Sequence, residues 1–315
     1  PIRLFEYVRK NIDKRNVRKE QKAHNRQFDL FREQYIQFSE NYYASYEELK
    51  NCPPDADAYI VGSDQVWHYA LLDAPHSNPY RVYFLDFGKK GIKRLAYAAS
   101  WGVTEIPQDY ADSITPLLKK FNYIGVREQS GLELCSQCGR SDAEWVCDPT
   151  LLLNADFYRS IYKENALSIP KKEYILLYVL NNKFQFDLKI IYEYAQLKNL
   201  EIVYVTGNGM LDTREKTFAT IPEWLYLVDN AKYVITNSFH CAVFSTIFQK
   251  QFGVIPLSAN DAGMNSRFDS LFELRGTGNR FISESNLSVL DEPYVAKSVV
   301  VSNRFLKAIF GDSNE

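Results

Sequence analysis

The stretch that decides the fold is Asn122-Tyr123-Ile124-Gly125-Val126-Arg127-Glu128-Gln129-Ser130-Gly131. Its first half, 122–126, is short, apolar and continuous, which is typical of a strand buried on both faces of a parallel sheet. Arg127 follows this strand at once, and Ser130 begins a helical pattern that extends to Cys138. A buried strand that leads through a polar turn into a helix is the repeating unit of α/β proteins.

The same alternation extends in both directions and forms two series. In the first we predict strands at Ala58–Val61, Arg81–Phe87, Arg94–Ala99, Asn122–Val126 and Glu144–Cys147, with helices at Asp109–Lys120 and Ser130–Cys138. In the second we predict strands at Tyr174–Leu180, Glu201–Thr206, Tyr233–Thr236 and Gln251–Ile255, with helices near 184–198, 222–230 and 239–249. We therefore expect an α/β protein with two Rossmann-like lobes on parallel sheets, facing each other across a cleft.

The domain boundaries are expected near residues 160 and 296. Residues 1–160 form the N-terminal lobe, residues 161–296 the C-terminal lobe, and residues 297–315 a last helix that could cross back to the first lobe. The chain starts at Pro1 rather than Met, so we expect the natural N-terminus, and with it a first strand, to precede this residue.

Composition excludes several classes of protein. With 37 Lys and Arg against 39 Asp and Glu, the net charge of −2 over 315 residues lacks the positive field of a nucleic-acid binder. No apolar run reaches the length of a membrane span, and no secretory signal opens the chain. The five cysteines are an odd number, which favours a reducing compartment and a cytoplasmic location.

The charge is unevenly distributed. Residues 1–27 carry nine basic and three acidic residues, a balance of +6, which leaves −8 for the rest. Apolar residues at helical spacing (Leu4, Phe5, Val8 and Ile12) predict an amphipathic basic helix there. It is either a solvated helix packed on its own domain or a peripheral contact with an anionic membrane surface or a lipid-linked phosphate.

Polar residues follow the predicted strands, where open parallel sheets bind their ligands. The four groups are Gly62-Ser63-Asp64-Gln65-Val66-Trp67-His68, Ser100-Trp101-Gly102, Arg127-Glu128-Gln129-Ser130-Gly131 and Asn237-Ser238-Phe239-His240. Ser238 or Asn237 can cap a helix whose first turn holds His240, and Ser130 can cap the helix after Arg127; such helix starts favour anions. Taken singly, Arg127 could instead be in a structural ion pair and His240 a satisfied core or surface group.

Five segments, in order, resemble the landmark motifs of the polysaccharide pyruvyl transferase family, over about residues 55–275. They are Tyr59-Ile60-Val61-Gly62-Ser63-Asp64-Gln65-Val66-Trp67, Tyr97-Ala98-Ala99-Ser100, Val126-Arg127-Glu128-Gln129-Ser130-Gly131, Asp148-Pro149-Thr150-Leu151-Leu152-Leu153 and Val234-Ile235-Thr236-Asn237-Ser238-Phe239-His240. The resemblance implies a GT-B-like fold, with acceptor sugar on the N-terminal lobe and donor on the C-terminal lobe. It also implies phosphoenolpyruvate as donor and co-substrate, with transfer of its pyruvyl unit to a sugar as a cyclic ketal.

The resemblance also assigns residues. Arg127 stands at the family's Arg, His240 at its essential His, and Arg267 corresponds to its third cation. Residue 68 is His where many members have Asn, and the family's opening strand has no counterpart ahead of Pro1.

The chemistry of the donor extends these assignments. Arg127 and Arg267 would hold its carboxylate and phosphate, and His240 would bind phosphate and act as general acid. Asp64, with Glu128 as the alternative, would take the proton of the attacking hydroxyl. The other candidate residues are expected to bind one of the two substrates. Those for phosphoenolpyruvate are Asn237, Ser238 and Ser130, and those for the acceptor sugar are Gln65, Trp67, His68 and Ser100.

No cofactor and no metal are expected. Cys135 and Cys138 with Cys147 give three thiols, but a fourth zinc ligand is missing nearby. The expected partners are phosphoenolpyruvate and a sugar acceptor linked to polyprenyl pyrophosphate, as in capsule or exopolysaccharide synthesis at the inner face of the plasma membrane. Two alternatives stay open: a GT-B glycosyltransferase that uses a nucleotide sugar, and a non-catalytic binding protein of an envelope-polymer pathway.

Overall fold

A computed structural model describes residue 15 and residues 26–311, apart from 71–77, 164–169, 171, 208–209, 211 and 259–263. The predicted basic helix around Leu4–Ile12 lies outside the described residues. The chain divides into two compact units, each built on its own parallel sheet. The sheet-1 unit comprises the described residues of 38–153, 262–275 and 297–315, and the sheet-2 unit those of 1–37, 154–261 and 276–296.

Sheet 1 contains four parallel strands in the order β1-β2-β3-β4. The strands are β1 (Ala58–Val61), β2 (Lys93–Ala99), β3 (Tyr123–Val126) and β4 (Glu144–Trp145). The helices of this unit are α2 (Tyr46–Asn51), α3 (Tyr80–Tyr83), α4 (Gln108–Leu118), α5 (Ser130–Gln137), α10 (Ser266–Arg275) and α11 (Asn303–Phe310). All four residues of β3 are buried, which agrees with a central strand covered on both faces.

Sheet 2 also contains four parallel strands, in the order β6-β5-β7-β8. They are β5 (Tyr174–Val179), β6 (Glu201–Thr206), β7 (Tyr233–Thr236) and β8 (Phe252–Val254). The helices of this unit are α1 (Phe28–Tyr35), α6 (Ala155–Lys163), α7 (Lys189–Leu197), α8 (Ile221–Asn230) and α9 (Phe239–Ile247). Thr220 and Glu223 form a reciprocal cap that starts α8.

The α/β class and the two parallel sheets are confirmed. One predicted strand, Arg81–Phe87, is wrong: this stretch begins inside the short helix α3 and continues as a turn. Its carbonyl groups are used by a buried side chain rather than by a sheet, because Arg94 donates to the oxygens of Leu85 and Phe87. A run rich in aromatic and apolar residues fits a strand and a buried turn equally well, so periodicity alone did not separate them.

The units are discontinuous in sequence. The chain passes between them at 37/38 and again at 153/154, and the described residues of 262–275 belong to the sheet-1 unit, whereas we expected residues 1–160 and 161–296 to form one lobe each. The C-terminal helix α11 packs on sheet 1, where the ring of Phe305 lies 4.5 Å from that of Tyr97 and 5.5 Å from that of Tyr123. Ser302 caps this helix and donates to Glu144 over 2.5 Å.

Among the described residues, none of the helices has the length and apolar character needed to cross a membrane.

Candidate active site

The loops after β1, β2 and β3 are hydrogen-bonded to one another at the carboxyl edge of sheet 1. The amide of Ser100 donates to the carbonyl oxygen of Asp64 over 3.1 Å, and the amide of Trp67 donates to the carbonyl of Ser100 over 3.2 Å. The amide of Arg127 donates to the carbonyl of Ala99 over 3.2 Å. Three polar groups that are far apart in sequence therefore share one edge, as the strand order predicts.

The guanidinium of Arg127 lies among three carboxylates. Its Nη1 donates to Asp148 over 3.0 Å, its Nη2 to Asp64 over 3.2 Å, and its Nε lies 3.5 Å from Glu128. The side chains of Arg127, Asp148 and Glu128 are almost completely buried, whereas that of Asp64 is 69% exposed. Burial acts to lower the pKa of Arg127, but the carboxylates of Glu128, Asp148 and Asp64 raise it above its ordinary value.

Arg267 belongs to the same cluster. It is buried in helix α10, and burial, followed by repulsion from Arg127, lowers its pKa to about 10. Glu128 and Asp64 oppose this shift. An arginine with this pKa is still cationic at neutral pH. The structure thus brings Arg127 and Arg267 together within one unit, although 139 positions separate them in sequence.

Helix α10 is attached to the start of α5 through Gln129. The amide of Gln129 donates to Ser270 over 3.3 Å, and its side chain donates to Glu273 over 3.2 Å. Arg267 itself donates from Nε to the carbonyl of Met264 over 3.1 Å. These contacts hold the second arginine close to the first.

Glu128 and Asp64 differ in accessibility. Glu128 is fixed in the interior, where Ser100 donates to Oε1 over 2.5 Å and the amide of Trp101 donates to Oε2 over 3.3 Å. Ser100, which we assigned to the acceptor, is completely buried and positions Glu128 instead. Asp64 keeps most of its surface in solvent while one of its oxygens contacts Arg127, so it is the carboxylate that an incoming hydroxyl can reach.

Gln65, His68 and Ser130 line the same edge. A Cβ atom at Gly102, where φ is +64°, would lie 2.6 Å from Nε2 of Gln65 and 3.0 Å from Cδ2 of His68, so glycine lets these side chains close over the loop. Nε2 of Gln65 and the hydroxyl of Ser130 are buried and lack a hydrogen-bond partner among the described residues. A buried polar group in this state gains from a ligand that satisfies it.

The predicted cap by Ser130 is wrong, because Gln129 is the N-cap of α5 and makes no side-chain capping bond.

Trp67 does not face a ligand. Its ring has no exposed surface; it stacks on Phe84 at 5.3 Å, packs edge-on against Trp101 and Phe121, and donates from Nε1 to the carbonyl of Tyr83. The expected stacking of Trp67 on an acceptor sugar is therefore corrected: this side chain is part of the hydrophobic core of the sheet-1 unit.

The sheet-2 unit carries the other candidate group, at the end of β7. Ser238 caps α9 by accepting from the amide of Cys241, which confirms the predicted cap and places His240 in the first turn. Asn237, which we assigned to the donor, accepts from the amide of Leu180 and donates to the carbonyl of Asn181. Its amide group therefore holds the loop that follows β5.

The residue that sequence reasoning missed is Asp148. It accepts from Nη1 of Arg127 through Oδ2, while its Oδ1 accepts from the amide and hydroxyl of Thr150 over 3.0 and 2.7 Å. The signal was present, because Asp148-Pro149-Thr150 directly follows the predicted strand Glu144–Cys147. A carboxylate fixed by its own capping turn is well suited to orient an arginine.

Two comparisons bear on the identity of the chain. A family model described as polysaccharide pyruvyl transferase matches residues 3–258. The chain belongs to the polysaccharide pyruvyl transferase family. It is therefore a transferase of polysaccharide biosynthesis, and both Arg127 and His240 lie within the matched range. Comparison with curated proteins gave no match.

The cysteines show no sign of a metal site. All five are free thiols, and the described residues contain no group of three or more His, Cys, Asp or Glu that could hold a metal ion. Burial raises the pKa of the Cys135 thiol to about 12.

Proposed function

We propose that this protein transfers the pyruvyl unit of phosphoenolpyruvate to a sugar of a surface-polysaccharide precursor, as a cyclic ketal, with release of phosphate. The observation that supports this reaction best is the pair of buried guanidinium groups, Arg127 and Arg267, at the carboxyl edge of sheet 1. Phosphoenolpyruvate carries a carboxylate and a phosphate on the same carbon, and two guanidinium groups match two adjacent oxyanions.

The site favours binding of an anion for an electrostatic reason. Burial, followed by repulsion from Arg127, lowers the pKa of Arg267 to about 10. A dianionic donor between the two guanidinium groups would relieve that repulsion. Because the interaction takes place away from bulk water, it is worth more than the same contact at the surface.

The reaction balances as follows. A proton adds to the methylene carbon of phosphoenolpyruvate, which leaves positive charge on C2; one sugar hydroxyl attacks C2 and loses its proton. The C2–O bond to phosphate then breaks, and a second hydroxyl closes the ketal while its proton goes to the departing phosphate. We assign the first proton to His240 as general acid, which is the role that the family resemblance implies for it.

Asp64 is the carboxylate we assign to the attacking hydroxyl. Its side chain is accessible, whereas Glu128 is enclosed and already accepts from Ser100. Gln65 and His68, beside Gly102, are the acceptor contacts that this arrangement supports. The Ser130 hydroxyl, which has no hydrogen-bond partner in the described part of the chain, is a donor contact.

The acceptor is proposed to be a lipid-linked sugar, carried on polyprenyl pyrophosphate at the inner face of the plasma membrane. Residues 1–27, with their balance of +6, would contact the anionic surface of that membrane. Replacing Lys10, Lys14 and Lys22 by Gln is expected to reduce the preference for a lipid-linked over a soluble acceptor. An unchanged preference would remove the membrane contact from the proposal and leave the reaction standing.

Phosphate release tests the reaction itself. The protein is incubated with phosphoenolpyruvate and a panel of free and lipid-linked β-galactosides, and free phosphate is measured. The proposal expects release that requires an acceptor and that falls in Arg127→Ala and His240→Ala variants. Wild-type turnover in either variant would remove that residue from the mechanism, and turnover with a nucleotide sugar alone would replace the proposal with a glycosyltransferase.

A further inference from the structure

The sheet-1 unit contains a cavity of about 620 Å³ whose lining includes none of the residues that we assign to the reaction. We propose that this cavity, formed by the segment before and within α2 together with α3, is a binding subsite for a neutral glycan. The inference deepens the proposed function by giving the acceptor a second contact, and it depends on that function only for where the glycan comes from.

The cavity wall is aromatic and partly exposed. Phe38, Tyr42, Tyr43, Tyr46 and Tyr83 all contribute to it. Tyr42 is 90% exposed and Phe38 64%, so two large rings face water with nothing described that covers them. Exposed rings that adjoin polar groups are characteristic of binding sites, and the flat apolar face of a ring suits the C–H face of a sugar.

The polar groups in the wall specify the class of ligand. Ser39, Glu40, Asn41 and Ser45 lie among the rings, and Glu40 is the one charged residue in the described lining. Lys50 and Arg81 lie over the ring of Tyr46 but are not part of the lining, and Arg81 is paired with Asp86, so the wall offers no Lys or Arg side chain to a phosphate. The hydroxyl of Tyr43 is buried and has no hydrogen-bond partner among the described residues, so a ligand hydroxyl could satisfy it. Rings, amide, hydroxyls and a single acid together match a neutral, hydroxyl-rich molecule.

The wall is held in place before any ligand arrives. Ser45 caps α2 by accepting from the amide of Glu48, and the side chain of Glu48 accepts from the amide of Ala44, the residue before the cap. The hydroxyl of Tyr46 donates to the backbone and side-chain oxygens of Asp86 over 2.9 and 3.0 Å. A fixed wall binds with a smaller loss of conformational entropy.

One residue, Trp67, contacts both the cavity wall and the edge of sheet 1 where Arg127 and Arg267 lie. Trp67 donates from its ring nitrogen to the carbonyl of Tyr83, in the cavity wall, and from its backbone to the carbonyl of Ser100, at the sheet edge. Trp67 follows Asp64 by three residues. The cavity and the two arginines thus belong to one unit and share Trp67 as a structural neighbour.

Titration with neutral tetrasaccharides tests the inference without phosphoenolpyruvate. The probes are tetrasaccharides of β-galactose, β-glucose and α-mannose, and a sulfated form of each. We expect at least one neutral tetrasaccharide to bind, and we expect Tyr42→Ala to raise its Kd between about two- and tenfold. Tyr42→Phe keeps the ring and is expected to keep most of the affinity. Phe310→Ala is the matched control, because Phe310 is an exposed ring of α11 in the same unit and outside the cavity.

Three results would overturn the inference: no neutral tetrasaccharide binds, binding is the same in Tyr42→Ala, or the sulfated form binds more tightly. Since Tyr42 is exposed, its replacement is not expected to unfold the protein, and thermal unfolding checks this.

A turnover assay separates this inference from the proposed reaction. Tyr42→Ala should raise the KM for a tetrasaccharide acceptor and leave the KM for a monosaccharide and kcat unchanged. A wild-type protein that binds tetrasaccharide but releases no phosphate would refute the reaction and leave the glycan subsite standing.

Discussion

Arg127 and Asp148 form a buried ion pair, in which Nη1 donates to Oδ2 over 3.0 Å and both side chains are almost completely enclosed. Asp148 is itself fixed by the amide and hydroxyl of Thr150. The direction of the guanidinium is therefore set by a short turn that makes no expected contact with substrate. Asp148 acts through Arg127 and is a positioning residue.

Replacing Asp148 by Asn tests this relationship. Arg127 keeps Glu128 and Asp64 as partners, so the loss of the charge-assisted hydrogen bond to Asp148 is expected to destabilise the protein by about 1.5–3 kcal/mol. Turnover should fall together with affinity for phosphoenolpyruvate, because Arg127 loses the group that orients it. Asp142→Asn is the control: Asp142 pairs with Arg140 while half exposed, and its loss should change stability little. An Asp148→Asn protein with a normal KM for phosphoenolpyruvate would contradict a positioning role.

We expect Arg127 and Arg267 to bind the donor through the planar geometry of the guanidinium group, which lysine lacks, and not through charge alone. Arg127→Lys and Arg267→Lys keep a cation but remove the planar fork, and we expect each to lower kcat/KM for phosphoenolpyruvate about a hundredfold. Arg140→Lys is the matched control, since Arg140 is a buried arginine of the same unit that donates to the carbonyl of Phe121. If Arg267→Lys retained wild-type kcat/KM, the second oxyanion contact would have to come from another residue.

Trp67 is expected to matter for stability and not for recognition of the acceptor. Trp67→Ala removes a ring packed against Phe84, Trp101 and Phe121, and should cost about 3–5 kcal/mol of unfolding free energy. Trp67→Phe should lower the melting temperature less and leave the KM for a monosaccharide acceptor unchanged. A raised KM in a fully folded Trp67→Phe protein would restore the stacking role that the sequence suggested.

Asp86 gives the sheet-1 unit a pH-dependent stability. Burial alone would raise its pKa, but hydrogen bonds from Lys120 and Arg81 hold the pKa below its ordinary value. Since the folded-state pKa is the lower one, the ionised carboxylate stabilises the protein at neutral pH. This contribution is lost as the pH falls below about 4.

Thermal unfolding between about pH 7 and pH 2 measures this effect. Asp86→Asn should be less stable than wild type at pH 7 and should show a shallower loss of melting temperature on acidification. Asp55→Asn removes the partner of Lys89 in a fully exposed pair and should follow the wild-type curve. Parallel curves for wild type and Asp86→Asn would show that Asp86 does not titrate in this range.

The parts of the fold that could be predicted are those that a short stretch of sequence indicates by itself. The strand Tyr233–Thr236 and the cap at Ser238 were predicted correctly because an apolar run followed by a capping residue is a local signal. The position of Arg127 after β3 followed from the same logic. The class of the fold needed no more than the alternation of such units.

What could not be predicted depends on contacts between distant parts of the chain. Arg267 lies beside Arg127 because α10 joins the sheet-1 unit. The family resemblance assigned both arginines to the donor, but no local pattern indicates which of two sheets a helix joins. The burial of Trp67 depends in the same way on rings from three other segments. Asp148-Pro149-Thr150 did follow a predicted strand, but its contact with Arg127 joins residues 21 positions apart, and no local pattern indicates that pairing.

The most direct test of the central claim is phosphate release from phosphoenolpyruvate as a function of acceptor, in wild type and in Arg127→Ala. The account predicts release that is negligible without a sugar, appears with a β-galactoside acceptor, yields one pyruvate ketal per phosphate, and is abolished in Arg127→Ala. Absence of release with every acceptor, while the protein is folded and phosphoenolpyruvate fails to bind, would contradict it.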